Sequence, residues 1–197
     1  MTHSLNIGDK IEFGRYPQGS DGEVLPLGWL VLAVQDNYAL LIADRLIDCR
    51  PYHNEPVDVT WETCALRAWL GGEFMSRAFR DEEQERIAPV TLQNPGQARF
   101  EMPDGAPTRD RIFVLSVEEM AHYFTFDMER KVYASPYAAK RQEKFSPTGS
   151  GFMWWLRTSG ASGRYAASVH FVGGVNTYGS EITDGSVMVR PALWVRG

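Results

Sequence analysis

The chain has 197 residues, of which 44% are hydrophobic and 12% aromatic with six Trp, and it carries a formal net charge of -5. That composition fills the core of one domain over residues 1–197, or of one domain with an N-terminal extension, and with no basic stripe it removes the electrostatic basis for non-specific nucleic-acid binding. The polar start Met1-Thr-His-Ser-Leu-Asn6 has no apolar h-region, and no stretch approaches the roughly 18 apolar residues of a membrane span, so a soluble cytoplasmic protein is expected.

Cys49 and Cys64 are the only cysteines, too few for a disulfide framework and wrongly spaced for zinc. Two reduced, buried thiols are expected.

Residues 1–60 read as strands. Ile11-Glu12-Phe13 alternates, and Tyr16 to Gly22 is turn chemistry. The apolar runs Trp29–Val34 and Tyr38–Ala43, split by Gln35-Asp36-Asn37, predict a hairpin buried on both faces.

Residues 61–150 read as helices and loops. Thr60 is placed to cap a helix carrying Trp61, Ala65, Leu66, Trp69 and Leu70, with Gly71-Gly72 stopping it. Phe74, Ala78 and Phe79 suggest another helical turn. Asp81 with Gln84 reads as a capping box for a polar helix that Pro89 ends. Residues 93–110 read as a surface loop and Arg111–Leu115 as a strand. Ser116 and Glu119 form a second capping box, with a helix to about Phe124. Ser135–Gly151 reads as a basic loop.

Residues 151–197 read as strands again. Phe152–Arg157 opens them, and Thr158–Gly163 is small and flexible. Ala167–Phe171 alternates, which predicts that His170 faces out if Val169 and Phe171 face the core. Gly173-Gly174 supplies a hairpin turn into Val175–Tyr178. Val187–Val195 closes the chain, and Pro191 within it demands a bulge or an edge. Strands, then helices, then strands favour an α+β fold with a mostly antiparallel sheet over a doubly wound parallel one. A chain that starts and ends on strands can pair its termini in one sheet and gather its long middle loops at one end.

Trp154-Trp-Leu-Arg157, Val172-Gly-Gly-Val175 and Val189-Arg-Pro-Ala-Leu-Trp194 resemble the ending of a family of uncharacterised bacterial domains with WWLR-S-PG and VRPAL motifs. The likeness extends through Phe13–Gln18, Trp29–Leu32, Ala39–Ile42, Pro51-Tyr52, Leu66–Leu70 and Ile112–Ser116. That family is similar to C-type-lectin-like folds of the formylglycine-generating-enzyme type, which include variable proteins of diversity-generating retroelements. The resemblance implies a non-catalytic domain that binds a protein or glycan between Trp155 and Arg190. Thr158-Ser159-Gly160 departs from the family's Ser-Pro-Gly.

Chemistry of the enzymatic relatives is not written into this chain. Formylglycine formation needs a late cysteine pair, and no cysteine follows Cys64. The iron-dependent relatives need clustered histidines, whereas His3, His53, His122 and His170 are scattered. Calcium-lectin motifs, a phosphate loop and a nucleophile elbow are absent, so no cofactor, metal site or catalytic residue is assigned. Arg157 and Arg190 read as structural arginines, stacking on tryptophan or bonding to loop carbonyls, with anion binding as the other reading. Trp154, Trp155 and Trp194 read as mostly core.

The ligand contacts expected are Ser159, Arg164, Tyr165, Ser168, His170, Asn176, Tyr178, Glu181 and Thr183. Tyr adds contact area at low entropic cost, while Ser and Asn add adaptable hydrogen bonds. Two other readings stay open. One is an enzyme built from distant residues such as His53, Glu55, Arg157 and His170; the other is an oligomerising domain of a phage or surface assembly. The sequence leaves the oligomeric state open.

Overall fold

The computed structural model describes residues 5–145 and 151–197, so His3 and the 146–150 part of the expected basic loop lie outside the described residues. The N-terminal region forms β1 (Lys10–Pro17), β2 (Val24–Gln35), β3 (Tyr38–Ala43) and the short β4 (Asp48–Cys49). β2 and β3 are the expected hairpin, closed by Asp36 at φ 53. Burial on both faces holds for β3 but not for β2, whose inward residues alternate with half-exposed ones.

The first helix departs from expectation. Trp61 lies in a turn ahead of it, and α1 (Ala65–Trp69) starts at Cys64, whose Sγ accepts from the Arg67 N–H. Gly71-Gly72 does not stop it. The chain runs through a π-helical turn over Leu70–Phe74 into α2 (Met75–Ala78), because Leu70 and Phe74 anchor the turn in the core. The cap of α3 (Asp81–Arg86) sits one residue earlier than expected, with Glu83 accepting from the Arg80 N–H at 2.9 Å. Gln84 instead donates to the Phe79 carbonyl.

β5 (Ile87–Ala88) follows. Residues 93–110, expected as loop, contain much of a two-stranded ribbon, β6 (Val90–Asn94) and β7 (Gly105–Asp110). Its Pro and Gly suggested a loop, but a two-stranded ribbon has free edges that tolerate both. The expected strand at Arg111–Leu115 shrinks to β8 (Ile112–Phe113). The Ser116 capping box forms as expected: Ser116 Oγ accepts from the Glu119 N–H and Glu119 Oε2 from the Ser116 N–H, both at 3.0 Å, opening α4 (Val117–Tyr123). α5 (Asp127–Arg130) is a single turn. The expected loop from Ser135 holds α6 (Pro136–Gln142), with Ser135 at the N-cap and Pro136 at the first position. That pairing is itself a helix-start signal.

The last region forms β9 (Trp154–Ser159), β10 (Tyr165–Val169), β11 (Val175–Glu181), β12 (Met188–Val189) and β13 (Ala192–Arg196). Gly173, at φ 93, turns β10 into β11. Two larger sheets result. One, curled into a half-barrel, runs β1-β2-β3-β13-β5, with β8 also on β13. The other runs β11-β10-β9-β12-β4. Among the described residues all pairings between strands are antiparallel except β12 with β9. The fold is thus mixed α/β and mostly antiparallel, and among the described residues the α-helices fall between residues 65 and 142.

Pro191 resolves differently from a bulge. The closing segment breaks at Arg190-Pro191 and changes sheets, so β12 belongs to one and β13 to the other. Proline cannot donate to a ladder, and its carbonyl instead accepts from the Ala43 N–H. No helix among the described residues is long and apolar enough to cross a membrane.

The core is aromatic. Trp29, Trp61, Trp154 and Trp155 are fully buried, while Trp194 is half-buried. Three of the indole N–H groups donate inward: Trp29 to the Phe13 carbonyl, Trp61 to Asp110 and Trp155 to the Arg50 carbonyl. Both thiols are buried and unpaired with each other. Burial pushes the Cys64 thiol up to about 12; burial, helped by the Asp48 carboxylate, pushes Cys49 up to about 11. Burial also raises the Tyr16 and Tyr52 hydroxyls.

These shifts fix a sign. Below about pH 9 folded and unfolded chains hold the same thiol protons; above it only the unfolded thiols ionise, so stability falls through the window up to pH 11–12. Urea unfolding at about pH 10.5 should show roughly 2 kcal/mol lost through Cys64 alone relative to pH 8, and neither thiol should react with a soluble thiol reagent in the native state. A midpoint that is flat from pH 8 to 10.5 would contradict this.

Candidate functional site

The polar stretch between the two tryptophan-bearing ends folds into the β10–β11 hairpin and its flanking turns. β11 is the outermost strand of its sheet. β10 lies inside that sheet and is buried over Ala166–Val169. A register shift between Ala166 and Ser168 on β10 lets β11 carry extra residues and bend outward. Asn176 secures that bend by accepting from the Gly179 N–H at 3.1 Å.

Tyr178 projects from the bend and is 54% exposed. Its ring meets Tyr165 edge-on at 5.2 Å between centroids and Phe100 at 5.7 Å. Arg99 lies over Phe100. The three rings form one aromatic ridge spanning the β6–β7 connection and the β10–β11 hairpin.

The turn from β9 to β10 packs directly beneath the ridge. A Cβ at Gly160 would fall 2.3 Å from the Tyr178 carbonyl oxygen and 2.7 Å from the Tyr165 Cβ. Only glycine permits that approach, which is sealed by Gly160 N–H to the Tyr165 carbonyl at 2.7 Å and Ala161 N–H to the Tyr178 carbonyl at 2.8 Å. The ridge therefore stands on a fixed backbone.

The expected contacts divide by position. Arg164, Tyr165, Tyr178, Glu181 and Thr183 gather at the end where β10 starts and β11 finishes, and all but the half-buried Tyr165 are exposed. Arg164 makes a loose ion pair with Asp58 at 3.6 Å. Ser159 is half-buried at the end of β9, where it pairs with Ala166. Ser168 is fully buried, and its hydroxyl meets that of Ser180 at 3.0 Å. Asn176 serves the bend.

His170 lies at the far end of the hairpin, stacked on Phe171 at 4.1 Å. The condition for it to face outward is not met, since Phe171 is itself exposed beyond the end of β10. Phe100 and Arg99 escaped the sequence reading because they sit in the segment taken as loop.

Of the residues named for an enzyme site built from distant parts of the chain, His53 and Arg157 are held by partners of their own. The His53 N–H bonds the Ile182 carbonyl just past the end of β11, and its Nδ1 accepts from the Ala65 N–H. His170 precedes the start of that strand. Arg157 is 3% exposed and fully engaged. Its guanidinium forks onto Glu119, with Nη2 to Oε1 at 2.7 Å and Nη1 to Oε2, and also donates to Asn94 Oδ1 and to the Val114 and Gln93 carbonyls.

Arg190 is also buried, lying between the Trp154 and Phe124 rings at 5.2 and 5.3 Å, with Nε donating to the Ala43 carbonyl. Burial, opposed by Asp44, lowers its guanidinium to about 10. Both side chains are held inside the scaffold, and the Arg190 Nη1 has no hydrogen-bond partner among the described residues. Among the described residues no group of three or more His, Cys, Asp and Glu is placed to hold a metal ion.

The family model described as "Domain of unknown function (DUF6273)" matches residues 36–197. No curated protein and no solved structure matches the chain.

Proposed function

The chain belongs to the DUF6273 family, and from that premise we propose that it is a non-catalytic recognition domain of C-type-lectin-like fold, binding a protein or glycan through the aromatic ridge. The carrying observation is Tyr178, exposed on an outermost strand, packed edge-on against Tyr165 and Phe100 and held by the glycine-tight turn beneath. Rigid tyrosines bring contact area with little entropy loss, and Arg164, Glu181 and Thr183 around them supply adjustable polar contacts. The lectin-like assignment draws on the C-terminal strand joining the sheet of the N-terminal strands, with helices and long excursions between.

The retroelement version of this reading makes a sharp demand on sequence variation. A reverse transcriptase would lie nearby in the genome, with a template repeat matching codons 155–190. Variants of the gene would differ at Arg164, Tyr165, Tyr178, Glu181 and Thr183, while Gly160, Ala166, Ser168 and Gly179 stay constant because they are packed. Variation spread evenly over both sets would remove that version.

Binding itself is tested with the Tyr165→Ser/Tyr178→Ser double variant beside the wild type on glycan and peptide arrays. A loss of about 10-fold or more in binding, with melting changed by only a few degrees, is expected for two ridge tyrosines. Arrays that give the wild type no specific signal, or the same signal as the variant, would reject the ridge as the binding surface.

A further inference from the structure

A second feature lies away from the ridge, where α1 and the π-helical turn face the strand end at Arg109–Arg111. An open cleft of about 500 Å³ is lined there by Arg67, Gly71, Gly72, Met75, Arg109 and Arg111. Along β7 and beyond, alternation buries Thr108 and Asp110 and exposes Arg109 and Arg111.

Asp110 does not neutralise the two exposed arginines. Its Oδ1 accepts from Arg67 Nε at 2.6 Å, and its Oδ2 from Trp61 Nε1 at 2.9 Å and Thr108 Oγ1 at 2.7 Å. Arg67 is held further by donating to the Glu62 carbonyl. One carboxylate thus fixes one arginine at the cleft wall. Among the described residues Arg109 and Arg111 have neither an ion pair nor a side-chain hydrogen bond. Like charges on alternate residues lining one cleft repel, and a bound anion relieves them.

The glycine pair points the same way. Gly71 and Gly72 lie inside a helical segment, where glycine is the poorest residue after proline. Neither has the positive φ that would require glycine, and a Cβ at either would meet nothing within 4 Å. Neither backbone conformation nor packing calls for glycine here. Their lack of side chains keeps the cleft open, beside a π-turn of the sort often found at functional sites.

We infer that this cleft is a binding site for the phosphate group of a small phosphorylated molecule. Planar guanidinium groups match the oxygens of a phosphate two at a time. The cleft volume suits a small ligand, with the Met75 side available to an apolar portion. Two free arginines on a chain of net charge -5 make a local anion site, not a track for a nucleic-acid backbone.

The test titrates the full chain with inorganic phosphate and phenyl phosphate by calorimetry, with phenol as the uncharged control. Saturable phenyl phosphate binding with Kd below about 1 mM, weakened by added salt, is expected, and none with phenol. Arg109→Ala/Arg111→Ala should weaken it about 10-fold or more per arginine with melting unchanged, since neither side chain is packed. Gly72→Leu should abolish binding while melting holds or rises, because leucine is a better helix former. No saturable binding up to about 10 mM, or binding unchanged in either variant, overturns the site.

Discussion

Arg157→Ala should lower folding stability by about 3–5 kcal/mol, because it strips a buried hub of its only cation. The guanidinium is 3% exposed and ties four partners from three segments: Gln93 and Asn94 of β6, Val114 after β8, and Glu119 of α4. Alanine would leave two carbonyls and an amide oxygen facing no donor, and each such orphan costs roughly 1–3 kcal/mol. Glu119 is partly exposed and can turn to water, so Glu119→Gln should cost less than Arg157→Ala. Arg157→Lys should recover only part of the loss, since an ammonium cannot reproduce the fork. Urea unfolding measures all three, and Arg157→Ala within about 1 kcal/mol of wild type would show that the hub is dispensable.

Trp155→Ala should cost at least as much. The ring is fully buried, packs on Tyr52 at 5.4 Å between centroids and donates to the Arg50 carbonyl at 2.8 Å. Truncating a core tryptophan costs about 3–5 kcal/mol, and the orphaned carbonyl adds roughly 1–3 more. That sum is comparable with the whole stability of many domains, about 5–15 kcal/mol, so the variant should be largely unfolded at 37 °C or melt far below wild type. Trp155→Phe keeps most of the apolar contact and loses the hydrogen bond, so it should fall between the two. Near-UV circular dichroism with thermal melting reads both, and Phe and Ala variants of equal stability would contradict this account.

The two substitutions also divide what was legible from what was not. Trp155 as core follows from residue type, because an indole with a satisfied N–H belongs inside. Arg157 was expected to be structural, stacking on tryptophan or bonding to loop carbonyls. It does bond backbone carbonyls, at Val114 and Gln93, but its charged partner is Glu119, and Glu119 and Gln93 sit 38 and 64 residues away along the chain. No local pattern encodes such a partner. The same residue Glu119 was legible in its other role, as the capping partner of Ser116 three residues away.

The candidate surface shows the same limit. Tyr165 and Tyr178 were chosen by residue type, and the fold brings their rings together. Ser168 and Asn176 were chosen on equal grounds. A two-residue periodicity cannot foresee the register shift between Ala166 and Ser168, and that shift accompanies the burial of Ser168 and the use of Asn176 by the backbone. The arginine cleft went unseen because Arg67 and Arg109 meet only when α1 packs beside the β6–β7 ribbon, itself hidden by its loop-like Pro and Gly.

Features whose causes span three or four residues were therefore determined by sequence alone: the Ser116 cap, the β2–β3 and β10–β11 turns and the proline interruption at Pro191. Tertiary structure alone decided that Pro191 moves the chain between sheets, that Gly71-Gly72 stays within a continuing helical run, and which polar side chains reach solvent. Caps and turns close hydrogen bonds within the local backbone, where residue chemistry suffices. Sheet membership, burial and charge pairing depend on segments tens of residues apart, and their positions are set only when the whole core packs.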